Sequence, residues 1–203
     1  MSTETDIRAR VIEHAAKKFV ANGIKSITMD EIAEQLGMSK RTLYELFKDK
    51  KNLVTECLYY FENLAKESQK KIFRETDNTF EAIILSFKSN LEGFQQIDKK
   101  FLEDIKKYFP DINKQWEKSK NLHIEKNAGY FIKSMEEGYV VKDFNPNTIS
   151  LLFYEEVEMV INAQLFNSSK IHFMEIYRTM CIIFFRGIAT SKGLEVIENL
   201  LMK

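Results

Sequence analysis

The segment from Ser26 to Lys51, SITMDEIAEQLGMSKRTLYELFKDKK, restricts the fold more than any other part of the chain. Thr28 is placed to cap a helix, and Glu31 three residues later completes a capping box. The spacing predicts a first helix from about Met29 to Leu36. Gly37 follows at once, where a left-handed residue ends a helix without a Cβ penalty. Ser39 is a second cap, opening a helix to about Phe47. Ala33 is small where the two helices should cross, and Ile32, Leu36, Leu43, Leu46 and Phe47 supply the apolar side. Two short helices about so tight a turn are a helix-turn-helix, whose second helix enters the DNA major groove.

Composition agrees with an all-α chain that meets DNA locally. Two prolines and seven glycines in 203 residues leave little room for a turn-rich β fold. The formal charge is zero, so there is no global basic field. From Lys40 to Lys51, however, Lys40, Arg41, Lys48, Lys50 and Lys51 stand against only Glu45 and Asp49. A basic cluster on such a motif is suited to phosphate, although a charged helix by itself is just as well a solvated face.

Thr28, Ile32-Ala33, Leu36-Gly37-Met38-Ser39-Lys40, Thr42-Leu43-Tyr44, Phe47-Lys48 and Lys50, with Val11 to Phe19 and Asn22-Gly23 upstream, resemble the TetR family of bacterial transcriptional regulators. The resemblance covers roughly the first quarter of the chain. It implies an all-helical homodimer: a three-helix DNA-binding domain at residues 1–50, and a helical bundle for dimerisation and ligand binding at residues 51–203. It also implies a sequence-specific regulator, by family default a repressor, that binds a palindromic DNA operator and is released by a small-molecule inducer. Arg41 and Glu45 depart from residues common in the family, so no operator sequence carries over. The other reading is a helical protein-interaction module without specific DNA binding.

Chemistry and resemblance together assign roles. The amide and hydroxyl of Thr28 suit a phosphate at a helix start, or serve as a cap alone. Ser39 and Thr42 are short donors for phosphate or base edge. Lys40 and Arg41 open the recognition helix, and Arg41 is the first choice for a bidentate contact to guanine. Tyr44 resembles a family tyrosine that binds backbone phosphate, or packs on the first helix. Lys48 and the next helix near Lys50 are expected on the second strand. Glu45 either accepts from a cytosine amine or forms a helical pair with the neighbours of Asp49.

Along the rest of the chain the periodicity predicts these helices. The first runs from about Asp6 to Asn22, buried through Ile12, Ala15, Ala16 and Phe19. The fourth starts near Asp49 or Lys50 and runs to about Arg74, with Leu53, Cys57, Tyr60, Phe61, Leu64, Ser68 and Ile72 inward, long enough to act as a lever. After a break at Glu75–Asn78, a helix from Thr79 to Gln96 turns Phe80, Ile83, Ile84, Phe87, Leu91 and Phe94 inward. Asp98 caps a shorter one. Pro110 opens a long one ended by Gly138, with Ile112, Trp116, Leu122, His123, Tyr130, Phe131 and Met135 as its buried side. Pro146 to about Phe166 and Ile171 to about Thr190 follow, and a short tenth helix comes after Gly193.

Met180 to Phe185 are consecutively apolar, so the ninth helix is covered on more than one side. With the eighth it forms a four-helix interface across a two-fold axis, carried by Leu152, Phe153, Val157, Tyr177, Cys181 and Phe184, unless the core is wholly intramolecular. Phe87, Phe94, Trp116, His123, Tyr130 and Met135, with Phe131 and Met159, are candidates for an apolar pocket taking a small hydrophobic or aromatic effector; such aromatics also make ordinary core. Cys57 and Cys181 read as core.

No cofactor, metal or catalytic set is expected. There is no Gly-x-Gly-x-x-Gly or Gly-x-Ser-x-Gly, and His14, His123 and His172 are scattered. Glu155, Glu156 and Glu158 lack histidine partners and read as a solvated or dimer-facing patch, or as a contact for a cationic ligand. With no signal pattern and no membrane-length apolar run, a cytoplasmic protein is expected.

Overall fold

The computed structural model describes residues 3–94, 96–162 and 173–201. Its helices are α1 Glu4–Asn22, α2 Met29–Gln35, α3 Lys40–Leu46, α4 Lys50–Glu75, α5 Thr79–Phe94, α6 Lys99–Tyr108, α7 Pro110–Glu136, α8 Pro146–Asn162, α9 Phe173–Ile188 and α10 Ser191–Leu201. The fold is all-α, and among the described residues the sole extended pairing is an isolated bridge between Val140 and Ala189. Two compact units emerge, Met1–Gln69 with Glu92–Glu117, and Lys70–Leu91 with Lys118–Lys203. The packing therefore does not divide at residue 50. Leu53, Val54 and Cys57 on α4, and Phe101 and Ile105 on α6, lie in the same core as the first three helices.

In the first unit α1 is the spine. It begins two residues earlier than its apolar stripe suggests, because Thr3 caps it in a box with Asp6. Val11, Ala15, Ala16 and Phe19 are fully buried, and Ile12, expected in this stripe, is only partly covered. Phe19 and Phe47 are the completely buried rings of this core. Truncating either to Ala would leave a cavity costing about 3–5 kcal/mol. Gly23 ends α1 at φ +81°, where a Cβ would come within 2.9 Å of the Lys100 Cβ. That close approach brings α6 against α1. The Asp98 amide donates to the Val20 carbonyl at 2.8 Å, and the Lys25 amide donates to Asp104 at 2.7 Å.

The inward face of α4 is shorter than its periodicity suggests. Leu64 and Ser68 are exposed, so the stripe that begins at Leu53 continues beyond what is covered. On α7, Ala128, Phe131 and Met135 are buried but Leu122 and His123 are exposed. Leu122 is nine residues from Phe131, and at about 100° per residue it points to the opposite side. The side chains of Leu91, Phe94, Trp116, Val160 and Ile161, and the expected helix ends at Phe166 and Ile171, lie outside the described residues; α5 ends at Phe94, two residues before the expected Gln96.

The second unit is built on aromatic rings. Phe87 stacks on Tyr177 with centroids 4.6 Å apart and planes 2° from parallel. Phe153 and Phe185 lie 5.1 and 5.9 Å from Phe87, and Phe184 packs on those two rings at 5.0 and 5.7 Å. Gly138, at φ +81°, stops α7. The Val141 amide donates to the Ile188 carbonyl at 2.9 Å, and the Thr190 amide donates to that of Tyr139 at 3.0 Å. Thr190 then caps α10, accepting from the Gly193 amide at 3.2 Å. Gly193 is thus inside the tenth helix, not ahead of it. Any Cβ there would collide with the Tyr139 carbonyl oxygen.

Candidate nucleic-acid interface

Each of the two motif helices is only seven residues long, below the length at which a helix holds itself together. What holds them is end chemistry. Thr28 and Glu31 form the expected capping box. The Leu36, Gly37 and Met38 amides return to the carbonyls of α2 at 3.0–3.1 Å, with Gly37 at φ +64°. Ser39 Oγ accepts from the Thr42 amide at 3.0 Å. The open C-termini are closed from outside the motif. Arg10 donates to the Leu36 carbonyl at 3.0 Å. Arg8 donates to the Leu46 carbonyl at 2.5 Å and to Glu56 at 3.0 Å, with its guanidinium 4.4 Å from the centre of the Phe47 ring. His14 adds a contact to Gln35 at 2.9 Å. None of these three α1 residues was picked out from the sequence, because nothing local marks a pairing across 38 or 26 residues.

With its ends fixed, α3 buries Leu43 and turns Lys40, Arg41, Tyr44 and Glu45 outward, with Lys48 exposed just beyond. Tyr44 is 50% exposed. The expected roles are not equally free. The Thr28 amide donates to Glu31 at 2.6 Å and its hydroxyl to the same oxygen at 2.9 Å, so the geometry is that of a cap. The same amide holds the Glu31 carboxyl below its ordinary range. Ser39 and Thr42 pair their hydroxyls at 2.8 Å. Lys40 is bound to Asp30 across the turn, an interaction that raises its pKa. Arg41 pairs with Glu45 one turn on, at 2.9 Å, so the helical partner of Glu45 is Arg41 and not a neighbour of Asp49. Lys50 is half-buried 6.0 Å from the Phe19 ring centre, and burial pulls its pKa down.

Of the other candidate residues Phe94 and Trp116 belong to the first unit, and the rest belong to the second. Phe87, Phe131 and Met135 are buried in its core and Tyr130 packs against it, but His123 is on the surface and lines no interior. Among the interface candidates, Leu152 is 53% exposed, whereas Phe153, Tyr177 and Cys181 are buried in the chain's own core with Val157 and Phe184 packed on it. Leu151 on α8 and Ile183 on α9, apolar residues of the two helices expected to form the interface, are exposed, as is Met159, a pocket candidate. Glu155 pairs with Lys120. Burial raises the Glu156 pKa, and its Oε2 has no hydrogen-bond partner among the described residues. Among the described residues no group of acidic, histidine and cysteine side chains could hold a metal, and no helix is long and apolar enough to cross a membrane.

Residues 11–57 match the family described as bacterial regulatory proteins, tetR family. An HTH-type transcriptional regulator of Staphylococcus aureus is 44% identical over 52 residues, 26% of this chain and 26% of its own length. The uncharacterized HTH-type transcriptional regulator YvaF of Bacillus subtilis is 32% identical over 87 residues, 42% of this chain and 46% of its own. The chain thus spans less than half the length of these curated relatives. A solved transcriptional regulator from Cytophaga hutchinsonii superposes with a TM-score of 0.70 at 21% identity, over 90% of this chain and 98% of that one. The opening helices thus match the tetR family of bacterial regulatory proteins, and the course of the backbone is that of the solved regulator's fold.

Proposed function

We propose that the protein is a sequence-specific DNA-binding transcriptional regulator, a repressor that binds a palindromic operator as a homodimer and is released by a small-molecule effector. The observation that carries this reading is a short helix, α3, clamped at both ends and presenting Lys40, Arg41 and Tyr44 outward, followed by exposed Lys48. Arg41 reads guanine, and Lys48 and Tyr44 hold phosphate. Arg41→Ala costs about 1–3 kcal/mol and relaxes sequence preference. Lys48→Ala weakens all sequences alike and flattens the salt dependence. Selection from a random DNA pool tests the reading: an enriched palindrome lost by Arg41→Ala supports it. A folded protein that enriches nothing points to the interaction-module reading.

The dimer is supported by apolar side chains left uncovered on two helices that pack together, Leu152 and Met159 on α8 and Ile183 on α9. A second copy covers them and places two recognition helices at least about 34–36 Å apart. Sedimentation of a monomer at micromolar concentration would remove this part. The effector is a small hydrophobic or aromatic molecule, supported by the ring cluster around Phe87 and Tyr177. A ligand panel giving neither thermal shift nor DNA release counts against it.

A further inference from the structure

We propose that Glu45 is a specificity-determining residue of the recognition helix, holding Arg41 so that only its outer nitrogen edge is offered to a base. The inference rests on the DNA-reading function proposed above. Arg41 Nε donates to Glu45 Oε1 at 2.9 Å, and the pair is well exposed, with 88% of the arginine side chain and 61% of the glutamate side chain accessible. A guanidinium carries two forks of parallel N–H groups that fit guanine O6 and N7, one using Nε and one using both terminal nitrogens. The bond to Glu45 occupies Nε. The fork formed by the two terminal nitrogens remains, and a long flexible side chain is given one orientation before DNA arrives.

Glu45 also acts by exclusion. Its charge lies one turn from Arg41, on the same face of α3. Phosphates and the acceptor atoms of guanine, adenine and thymine are repelled there. Cytosine presents its N4 amine donor to the major groove, and Glu45 Oε2 is not used by Arg41. Residues four apart are about 6 Å apart along a helix, enough to reach the neighbouring base pair. The geometry points to a guanine under Arg41 and a cytosine under Glu45. An unpaired arginine would tolerate more sequences and hold phosphate more readily.

The test uses full-length protein and the duplex enriched from a random pool by the wild type. Wild type, Glu45→Gln, Glu45→Ala and Arg41→Ala are titrated by fluorescence anisotropy at one salt concentration. The duplexes are the enriched site, its single-base variants and an unrelated duplex of equal length. Glu45→Ala is expected to lose about tenfold of discrimination at the guanine position and at the cytosine position, and to bind the unrelated duplex more tightly than wild type. Glu45→Gln, whose amide oxygen still accepts from Arg41 Nε, keeps the guanine preference and loses the cytosine preference. Glu45→Ala discriminating as wild type at every position overturns the proposal and leaves DNA reading intact. A wild type with no preference among duplexes overturns the DNA reading, and this proposal with it.

Discussion

Arg8 reaches across 38 residues to donate to the Leu46 carbonyl at the C-terminal end of α3, 2.5 Å away. A terminal carbonyl without an intrahelical partner is a recurring weakness of short helices. Here a cation satisfies it where the helix dipole is negative. The same guanidinium binds Glu56 at the start of α4 and lies over Phe47, so one side chain fixes the exit of the recognition helix.

Arg8→Ala is therefore expected to destabilise the first unit by about 1–3 kcal/mol, more than an exposed ion pair contributes. Affinity should fall for all duplexes in the same proportion, because Arg8 positions α3 and is turned to its backbone. Arg8→Lys keeps the charge without the fork and should recover only part. Urea denaturation followed by titrations on two unrelated duplexes checks both; unchanged midpoints would show that the carbonyl finds water instead.

The α2 cap has an acid limit. The Thr28 amide and hydroxyl hold Glu31 below its ordinary pKa of 4.5, so the folded state binds this proton less readily than the unfolded chain. The cap's contribution is full above the ordinary value and is lost as pH falls through the lowered folded one. Melting curves from pH 6 downward should fall less steeply for Glu31→Gln than for wild type in that window. Parallel curves would assign the acid loss to other carboxylates.

Lys40 is expected to be held back by its own chain. Asp30→Asn removes its carboxylate partner and frees the ammonium. Binding should tighten on specific and unrelated duplexes alike, with the slope of log affinity against log salt steeper by about 0.9. An unchanged slope would mean that Lys40 already leaves Asp30 when DNA binds.

Gly193→Ala should destabilise the second unit by about 1–3 kcal/mol through overpacking. The added methyl meets the Tyr139 carbonyl oxygen, which also accepts from the Thr190 amide. Thermal denaturation of the variant checks it, and Gly37→Ala offers a contrast: space is open there and the penalty is one of φ alone.

Cys57 should be inert while the protein is folded. It is buried, its thiol donates to the Ile12 carbonyl at 3.6 Å, and burial pushes its pKa up to about 12. Alkylation at pH 8 should follow the unfolding rate. Rapid labelling under native conditions would show that α4 separates from α1 locally.

The helix boundaries that depend on a neighbour in sequence were legible in the chain: Thr28 with Glu31, Ser39, Asp98, Gly37 and Gly138 all end helices as their residue types require. So were the outward positions of α3, since Leu43 and Leu46 supply its apolar side. What depends on distant residues was not. Leu64 continues a helical stripe past the point where anything covers it, and Leu122 sits in a run whose true inward phase is set by Phe131. Arg8, Arg10 and the carboxylates that bind Lys40 and Arg41 are ordinary surface charges in one dimension. Thr3 was legible in principle, and went unread because its box closes with Asp in place of the usual Glu or Gln.

The bonds that terminate α2 and α3 come from Arg8, Arg10, Thr28 and Ser39, whereas the outward positions are Lys40, Arg41, Tyr44, Glu45 and Lys48. The two sets do not overlap. Exchanging the outward residues leaves every terminating bond in place, so the surface that α3 presents can be rewritten by point substitution without loosening the helix that carries it.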